Sequence, residues 1–556
     1  MFQRFRNEIE ETINAALKDL KFKKEILLVE PPKGMGELSS SIAFEIAADL
    51  KKSPKNVVDD IYKSIKIRPS TLIKDVKVVN GHLNFQLDYK RTARALIKEV
   101  KILNEDYGRG NKNGKIILEH TSANPDGPLH IGHGRNSIIG DSLARVMRFV
   151  GYKVETQFYV NDMGKQLAIV IWGLRRLNLV EGKNDLSISR VYVESNKLLK
   201  DNKTAEKQVS ELIKEYEKGN EGIKKEFKNA ANYCLEGINE TLNRLGINHD
   251  RYVWESTFVW DSSVKKVVKK LLRTEYFELD GVSSLNLNKF GIEKNLILSR
   301  SDGTYLYTTK DIAYHLWKLK HGKVINIWGS DHKLIGEQLK AVHRILDVSP
   351  PEFIFYEFIT LPTGSMSTRS GIFISLDKLI EETVKRAYIE VDKRRSEETK
   401  NFKLKIAEAV GIGAIRFNII RIAAEKSMVF DWDEALNFER NGSSFIQYAY
   451  ARCCRILEKA EIKDEFIIRN LTINEKELIR IISKFKEIVI ESAESRKPSI
   501  IANYAIELAN AFHRFYMYDK VLKGKDKDFR INLVRVTKVI LGNTLTLLGI
   551  KALDKM

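Results

Sequence analysis

From Lys115 onward the chain repeats one pattern: a short apolar run, a helix-length stretch, then another apolar run. KIILEH, YKVETQFYV, NLILSRS, VINIWGS and EFIFYEFITL are the runs, and the stretches between them are long enough for helical crossovers. Strands joined by crossovers lie parallel, and a parallel sheet needs helices on its faces. The centre of the chain is therefore expected to be α/β, built on a parallel sheet.

The flanks read differently. Residues 1–108 mix an amphipathic helix, FQRFRNEIEETINAALKDL, with the alternating strand HLNFQLDY, and are expected to form a small α+β domain ended by the polar linker LNEDYGRGNKNGK. Residues 109–407 carry the strands, with a charged helical insertion at about 185–250 that includes TAEKQVSELIKEYEKG. From 408 to 556 no strand is expected. FIQYAYARCCRILEKA and NYAIELANAFHRFYMYDKVL read there as helices of an all-α domain.

A chain of 556 residues with 93 Lys and Arg against 74 Asp and Glu carries a net charge of +19, which favours a polyanion such as nucleic acid as partner. No run approaches the roughly eighteen apolar residues a membrane span needs, and the start, MFQRFRNEIEETI, is too charged for a secretory signal. No membrane partner and a cytoplasmic location are expected. Cys234, Cys453 and Cys454 form no CxxC pair, so neither a disulfide framework nor a cysteine zinc site is supported, and no metal held by protein side chains is expected.

Ligands of open parallel sheets bind beyond the carboxyl ends of the strands. After the first run stand Glu119, Ser122, Asn124 and PLHIGHGRN; after the second, Asn161 and Asp162; after the third, Ser301, Asp302 and Gly303, leading to Tyr307 and Asp311. After the fourth stand Gly329, Ser330, Asp331 and His332, and after the fifth GSMSTRSG, residues 364–371. Every strand delivers polar residues to one edge, which a purely structural sheet has no reason to do. In PLHIGHGRN a helix starts, so His130 and His133 share one face of its first turn, beside backbone N–H groups expected to be free. That helix end attracts phosphate, and Gly132 and Gly134 are expected to let a flat ligand approach.

HIGH (His130 to His133), followed after a later strand by SMSTR, resembles the paired signatures of class I aminoacyl-tRNA synthetases. SANPDGPLHIGHGRNSIIGD, YVNDMGKQ, SDGTYLYTTKDIAYH, FIQYAYARCCRIL and the terminal ALDKM resemble the arginyl-tRNA synthetase family more narrowly, over nearly the whole chain. The resemblance implies a Rossmann-like catalytic domain, an additional N-terminal domain that meets the outer corner of tRNA, and a C-terminal anticodon-binding bundle. It implies ATP-dependent activation of L-arginine, transfer to tRNA(Arg), Mg²⁺ carried on the ATP phosphates, and a monomer.

The same resemblance implies the site residues. His130, His133 and Arg369 act on the reacting phosphate; His130, Gly132, His133, Gly329, His332, Met366 and Ser367 hold ATP. Glu119, Ser122, Asn124, Glu255, Tyr307, Asp311 and His332 hold arginine. A guanidinium calls for carboxylates, and Asp311 is the best placed, with Tyr307 one helical turn before it. Residues 441–556 hold 21 Lys and Arg against 14 Asp and Glu, a surplus that suits RNA, with Tyr448, Arg452, Arg455, Phe512 and Tyr516 as the contacts. Three departures from the family pattern stand out: Ser365 and Thr368 replace the loop lysines, Gly127 stands where some members carry a lysine, and His332 replaces a glutamine. The alternatives are another class I synthetase, or a catalytically inactive relative that binds RNA. The first is disfavoured by the missing cysteine zinc sites and editing insertion, the second by the intact HIGH, Asn124, Tyr307 and Asp311.

Overall fold

The computed structural model describes residues 1–32, 34–301, 304–360, 375–436 and 442–556. The expectations placed on Asp302, Gly303, Ser365, Met366, Ser367, Thr368 and Arg369 lie outside the described residues.

The N-terminal part is α+β. Strands β1 (Leu28–Val29), β2 (Leu38–Ser40), β3 (Ile73–Val79) and β4 (His82–Leu87) form an antiparallel sheet in the order β1-β2-β4-β3. Helix Phe2–Asp19 buries Phe2, Phe5, Ile9, Ile13 and Leu17, a stripe at helical spacing that packs into the core.

The central sheet contains β5 (Lys115–Glu119), β6 (Lys153–Val160) and β7 (Arg251–Trp254). A separate antiparallel sheet follows, of β8 (Phe277–Asp280), β9 (Val282–Leu285) and β10 (Leu296–Ile297), before β11 (Lys323–Gly329) and β12 (Glu352–Tyr356) return to the central one. Its order is β12-β11-β5-β6-β7, with every pair parallel. The chain builds outward from β5 in one direction and then, with β11 and β12, in the other. The crevice beyond β5 and β11 is thus a switch point, where a parallel sheet opens room for a ligand.

Two strand expectations are corrected. NLILSRS does not join the parallel sheet: only Leu296–Ile297 is extended, and it pairs with β9. The fifth parallel strand is RYVW, which is four residues long, half exposed at the sheet edge, and so lacks the continuous apolar run of a central strand. EFIFYEFITL divides into β12 and β13 (Ile359–Thr360), and β13 pairs with β14 (Met428–Val429). A strand therefore does occur beyond residue 408. Helix Lys400–Arg421 also runs unbroken through the expected boundary at 407/408.

Helices Asn184–Leu199, Lys203–Lys218 and Glu221–Arg244 form the insertion between β6 and β7. The C-terminal helices are Ser443–Glu458, Ile473–Ser483, Phe485–Ser495, Ser499–Tyr518 and Lys527–Leu547. Of these, Phe485–Ser495 and Lys527–Leu547 pack, as does Lys400–Arg421, on the crossover helix Ile131–Phe149, whose turns from Gly134 to Ala144 are buried on every side. Buried Arg135 on this helix donates to the carbonyls of Glu357 and Lys426 at 2.7 and 2.6 Å, tying the ends of β12 and of helix Lys400–Arg421 to it. Among the described residues, no helix is long and apolar enough to cross a membrane.

Candidate active site

A cleft of about 960 Å³ opens at the switch point, lined among others by Glu119, Ser122, Asn124, His130, Gly132, His133, Asn161, Glu255, Tyr307, Asp311, Gly329 and His332. Residues far apart in sequence meet here because the ends of β5, β6, β7 and β11 do.

At one end the two histidines cap their own helix. His130 precedes the first helical residue, and its Nδ1 accepts the N–H of His133 at 3.1 Å; His133 Nδ1 in turn accepts the N–H of His130 at 3.3 Å. The rings stack with centroids 3.6 Å apart. Those two backbone N–H groups are therefore not available to a ligand, contrary to the expectation. A neutral imidazole that accepts at Nδ1 carries its proton on Nε2, so each ring is a donor at its far nitrogen. Burial pushes both imidazoles below their ordinary pKa, His133 the further, with the His130 ring adding to the effect. Both are neutral donors at neutral pH.

The glycines serve the histidines more than the ligand. A Cβ on Gly132 would meet His130 Cε1 at 2.8 Å, so this glycine makes room for the ring. One on Gly134 would meet Leu376 Cδ1 at 2.8 Å in the core, which removes Gly134 from the ligand side.

The backbone just after β5 is strained. Thr121 and Ser122 take φ of 71° and 41°, a left-handed conformation that is costly for a β-branched residue. Asn136 Oδ1 accepts the N–H of Thr121 at 2.7 Å, and Ser137 Oγ lies 2.8 Å from Thr121 Oγ1, which hold the turn. The turn lets Ser122 Oγ donate to Glu119 Oε1 at 3.1 Å while it accepts the N–H of Tyr159. Asn124 Nδ2 donates to Gln166.

At the other end three carboxylates converge. Glu119 is buried and accepts from Lys318 Nζ at 2.6 Å; Glu255, directly after β7, is buried and paired to Lys310 Nζ at 2.8 Å. Asp311 stands between those lysines on helix Tyr307–Leu319 and, among the described residues, has no ion-pair partner. Burial pushes its carboxyl well above the usual range, and Glu255 and Glu119 push it further. Burial also raises Glu255, against the pull of Lys310. Tyr307, more than half exposed at the start of the helix, lines the cleft one turn before Asp311.

His332 is exposed at the mouth, its ring edge-on to Trp328 at 5.9 Å. Asp162, read as part of the polar edge, does not line the cleft: it accepts from Ser256 Oγ at 2.6 Å, from Ser256 N–H and from the Tyr216 hydroxyl, and so fastens the insertion. Sequence reading missed Lys310, Lys318, Tyr159 and Tyr314. The signal for one was present, since Lys318 lies seven residues after Asp311 and thus on the same helix face.

On the C-terminal helices, the Arg452 guanidinium lies over the rings of Tyr448 and Tyr516, 4.7 and 4.4 Å from their centroids, and Tyr448 and Arg455 are exposed. Phe512 is a correction. It is 1% exposed, in the core, because its position turns inward while Met517 and Tyr518, five and six residues on, face solvent.

Three family descriptions match the chain: "Arginyl tRNA synthetase N terminal domain" over residues 6–87, "tRNA synthetases class I (R), catalytic domain" over residues 94–432 and "DALR anticodon binding domain" over residues 446–556. The chain is 48% identical over 538 residues to the arginine–tRNA ligase of Methanocaldococcus jannaschii, covering 94% of each. It is 45% identical over 570 residues to that of Methanothermobacter thermautotrophicus, covering 100% of both. The solved structure of Thermus thermophilus arginyl-tRNA synthetase superposes with a TM-score of 0.84 at 26% identity, covering 99% of this chain and 100% of that one. With its sheet, its cleft and matches along its whole length in agreement, the chain belongs to the arginyl-tRNA synthetase family.

Proposed function

We propose that the cleft carries out the arginine–tRNA ligase reaction. The arginine carboxylate attacks the α-phosphate of ATP and pyrophosphate leaves; a ribose hydroxyl of tRNA(Arg) then attacks the carbonyl of the adenylate, the mixed anhydride breaks, AMP leaves and the hydroxyl proton is released. The observation that carries this reading is the charge arrangement: three carboxylates meet two lysines, and the one left over, Asp311, faces the cleft. A guanidinium is the side chain that completes it.

Asp311 and Tyr307 would hold the guanidinium, with Glu255 behind them. Glu119, Ser122 and Asn124 would hold the amino acid's backbone end. The Nε2–H groups of His130 and His133 would donate to the phosphate oxygens as charge grows on them, without needing to shed a proton. Gly132, Gly329 and His332 would border the nucleotide. Neither step needs a protein nucleophile, so positioning and charge stabilisation carry the rate. Mg²⁺ is proposed to arrive with ATP, held by phosphate oxygens and water, since among the described residues no group of three His, Cys, Asp or Glu side chains converges to hold a metal.

Tyr448, Arg452, Arg455 and Tyr516 are proposed to meet tRNA, a cation held over two rings being a surface on which unstacked bases can lie. We further propose a cytoplasmic monomer. An aliphatic amino acid in this cleft would leave the buried charge of Asp311 unanswered, which disfavours another class I specificity.

The test is arginine-dependent pyrophosphate exchange with intact tRNA, with tRNA lacking its terminal adenosine, and without RNA. Exchange with arginine and intact tRNA is expected, and exchange is expected to depend on that tRNA. A chain that binds tRNA but supports no exchange under any of the three conditions is an RNA-binding module instead.

A further inference from the structure

The two lysines at the carboxylate end do not line the cleft. Lys318 is fully buried in a box made by Glu119 Oε2 and Asn326 Oδ1, each 2.6 Å from Nζ, by His315 Nε2 at 3.3 Å, and by the Tyr314 ring, whose centroid is 4.0 Å away. It reaches a ligand only through Glu119. Lys310 is buried against Glu255 in the same way. A buried lysine is expensive to keep, and a packed apolar side chain would serve stability as well. What an apolar side chain cannot do is cancel one negative charge in the cleft.

We propose that Lys318, together with Lys310, sets the net charge of the arginine site and thereby selects a ligand that carries one net positive charge. Three carboxylates less two ammonium groups leave a single negative charge. Free arginine, with a guanidinium, an ammonium and a carboxylate, carries a single positive one, so the filled site is neutral. This inference rests on the arginine reading above and makes Lys318 a positioning residue for specificity.

The probes are L-arginine and agmatine, which keeps the guanidinium and the amine but lacks the carboxylate and so carries two positive charges. Their affinities for the full chain are measured by titration calorimetry, at about pH 7 and about pH 8, so that a carboxyl protonated when its lysine is removed is more fully ionised in the second arm while both ligands keep most of the charge counted above. The titratable groups that face Glu119 are Lys318, Tyr314, Asp311 and Tyr159, with His315 beside Lys318.

Lys318→Met is expected to move the arginine-to-agmatine affinity ratio about tenfold toward agmatine at the higher pH, because one more buried negative charge favours the doubly charged ligand. Lys318→Arg, which keeps the positive charge beside Glu119, is expected to leave the ratio within about twofold of the original. A purely structural lysine would weaken both ligands in proportion. A ratio unmoved at both pH values in Lys318→Met, or displaced equally in Lys318→Arg, overturns the proposal. If Lys318→Met melts before it can be titrated, Lys310→Met makes the same change of charge through Glu255 and reads the same ratio. Failure of the unmodified chain to bind arginine overturns the arginine reading and this inference together. Arginine binding with an unmoved ratio overturns this inference alone.

Discussion

The two ends of the cleft solve opposite electrostatic problems with the same tool, burial. At the histidine end burial keeps the imidazoles neutral, so in the proposed reaction they would donate hydrogen bonds without placing fixed charge against the nucleotide. At the carboxylate end burial makes charge costly, and two lysines from one helix neutralise all but one of the acids. On the proposed reading, one end meets charge that appears during the reaction, the other charge the ligand brings. The difference teaches that turnover and amino acid selection should separate cleanly by mutation.

The largest break in that comparison is expected from His133→Ala. Loss of a donor aimed at developing charge lowers turnover by about 10²-fold, while the KM for arginine changes little. Pyrophosphate exchange at saturating and limiting arginine separates the two, and unchanged turnover would return the histidine to a plain helix cap. Asp311→Asn is the converse. Removing a charge-assisted contact worth about 1.5–3 kcal/mol raises the KM for arginine about tenfold or more and leaves that for ATP in place. Equal weakening toward both substrates contradicts the assignment.

The pH response sharpens the same contrast. Burial, Glu255 and Glu119 raise the Asp311 carboxyl in the empty site and a bound guanidinium lowers it again, so arginine binding is expected to release protons at pH values between the two. Affinity for arginine therefore rises with pH until the raised pKa is passed, and falls below it by at most about tenfold per pH unit. Titration of arginine in buffers of different ionisation enthalpy measures the released proton, and no release would place Asp311 ionised already. The smallest effect is expected from Gly132→Ala. Its Cβ would press on the His130 ring, which can shift, so turnover falls about threefold with arginine affinity intact. A rise in the KM for arginine instead would mean that Gly132 borders the amino acid.

Much of this arrangement was legible in the chain. The alternation of apolar runs and helices points to a parallel sheet, and HIGH, Tyr307 and Asp311 fall at its edge where ligands bind. RYVW is not legible as a strand because a short edge strand carries little of the apolar signal that marks a central one. The sequence leaves Phe512 open to either side because FHRFYMY is aromatic on more than one face of its helix, and only the packing of neighbouring helices decides which face is core.

Residue type and spacing, which the sequence holds by itself, determined the fold class, the helix start at the histidines and the presence of a carboxylate fit for a guanidinium, because each depends on neighbours within one element. Partnership was decided only by the tertiary structure. Glu119 ends β5, Glu255 follows β7, and both lysines sit on helix Tyr307–Leu319, so which acid is neutralised and which is left for the ligand depends on how three separate elements meet. The histidines show the same division: their spacing marks a helix start, but that each ring takes the other's backbone N–H follows from rotamers that the surrounding core selects.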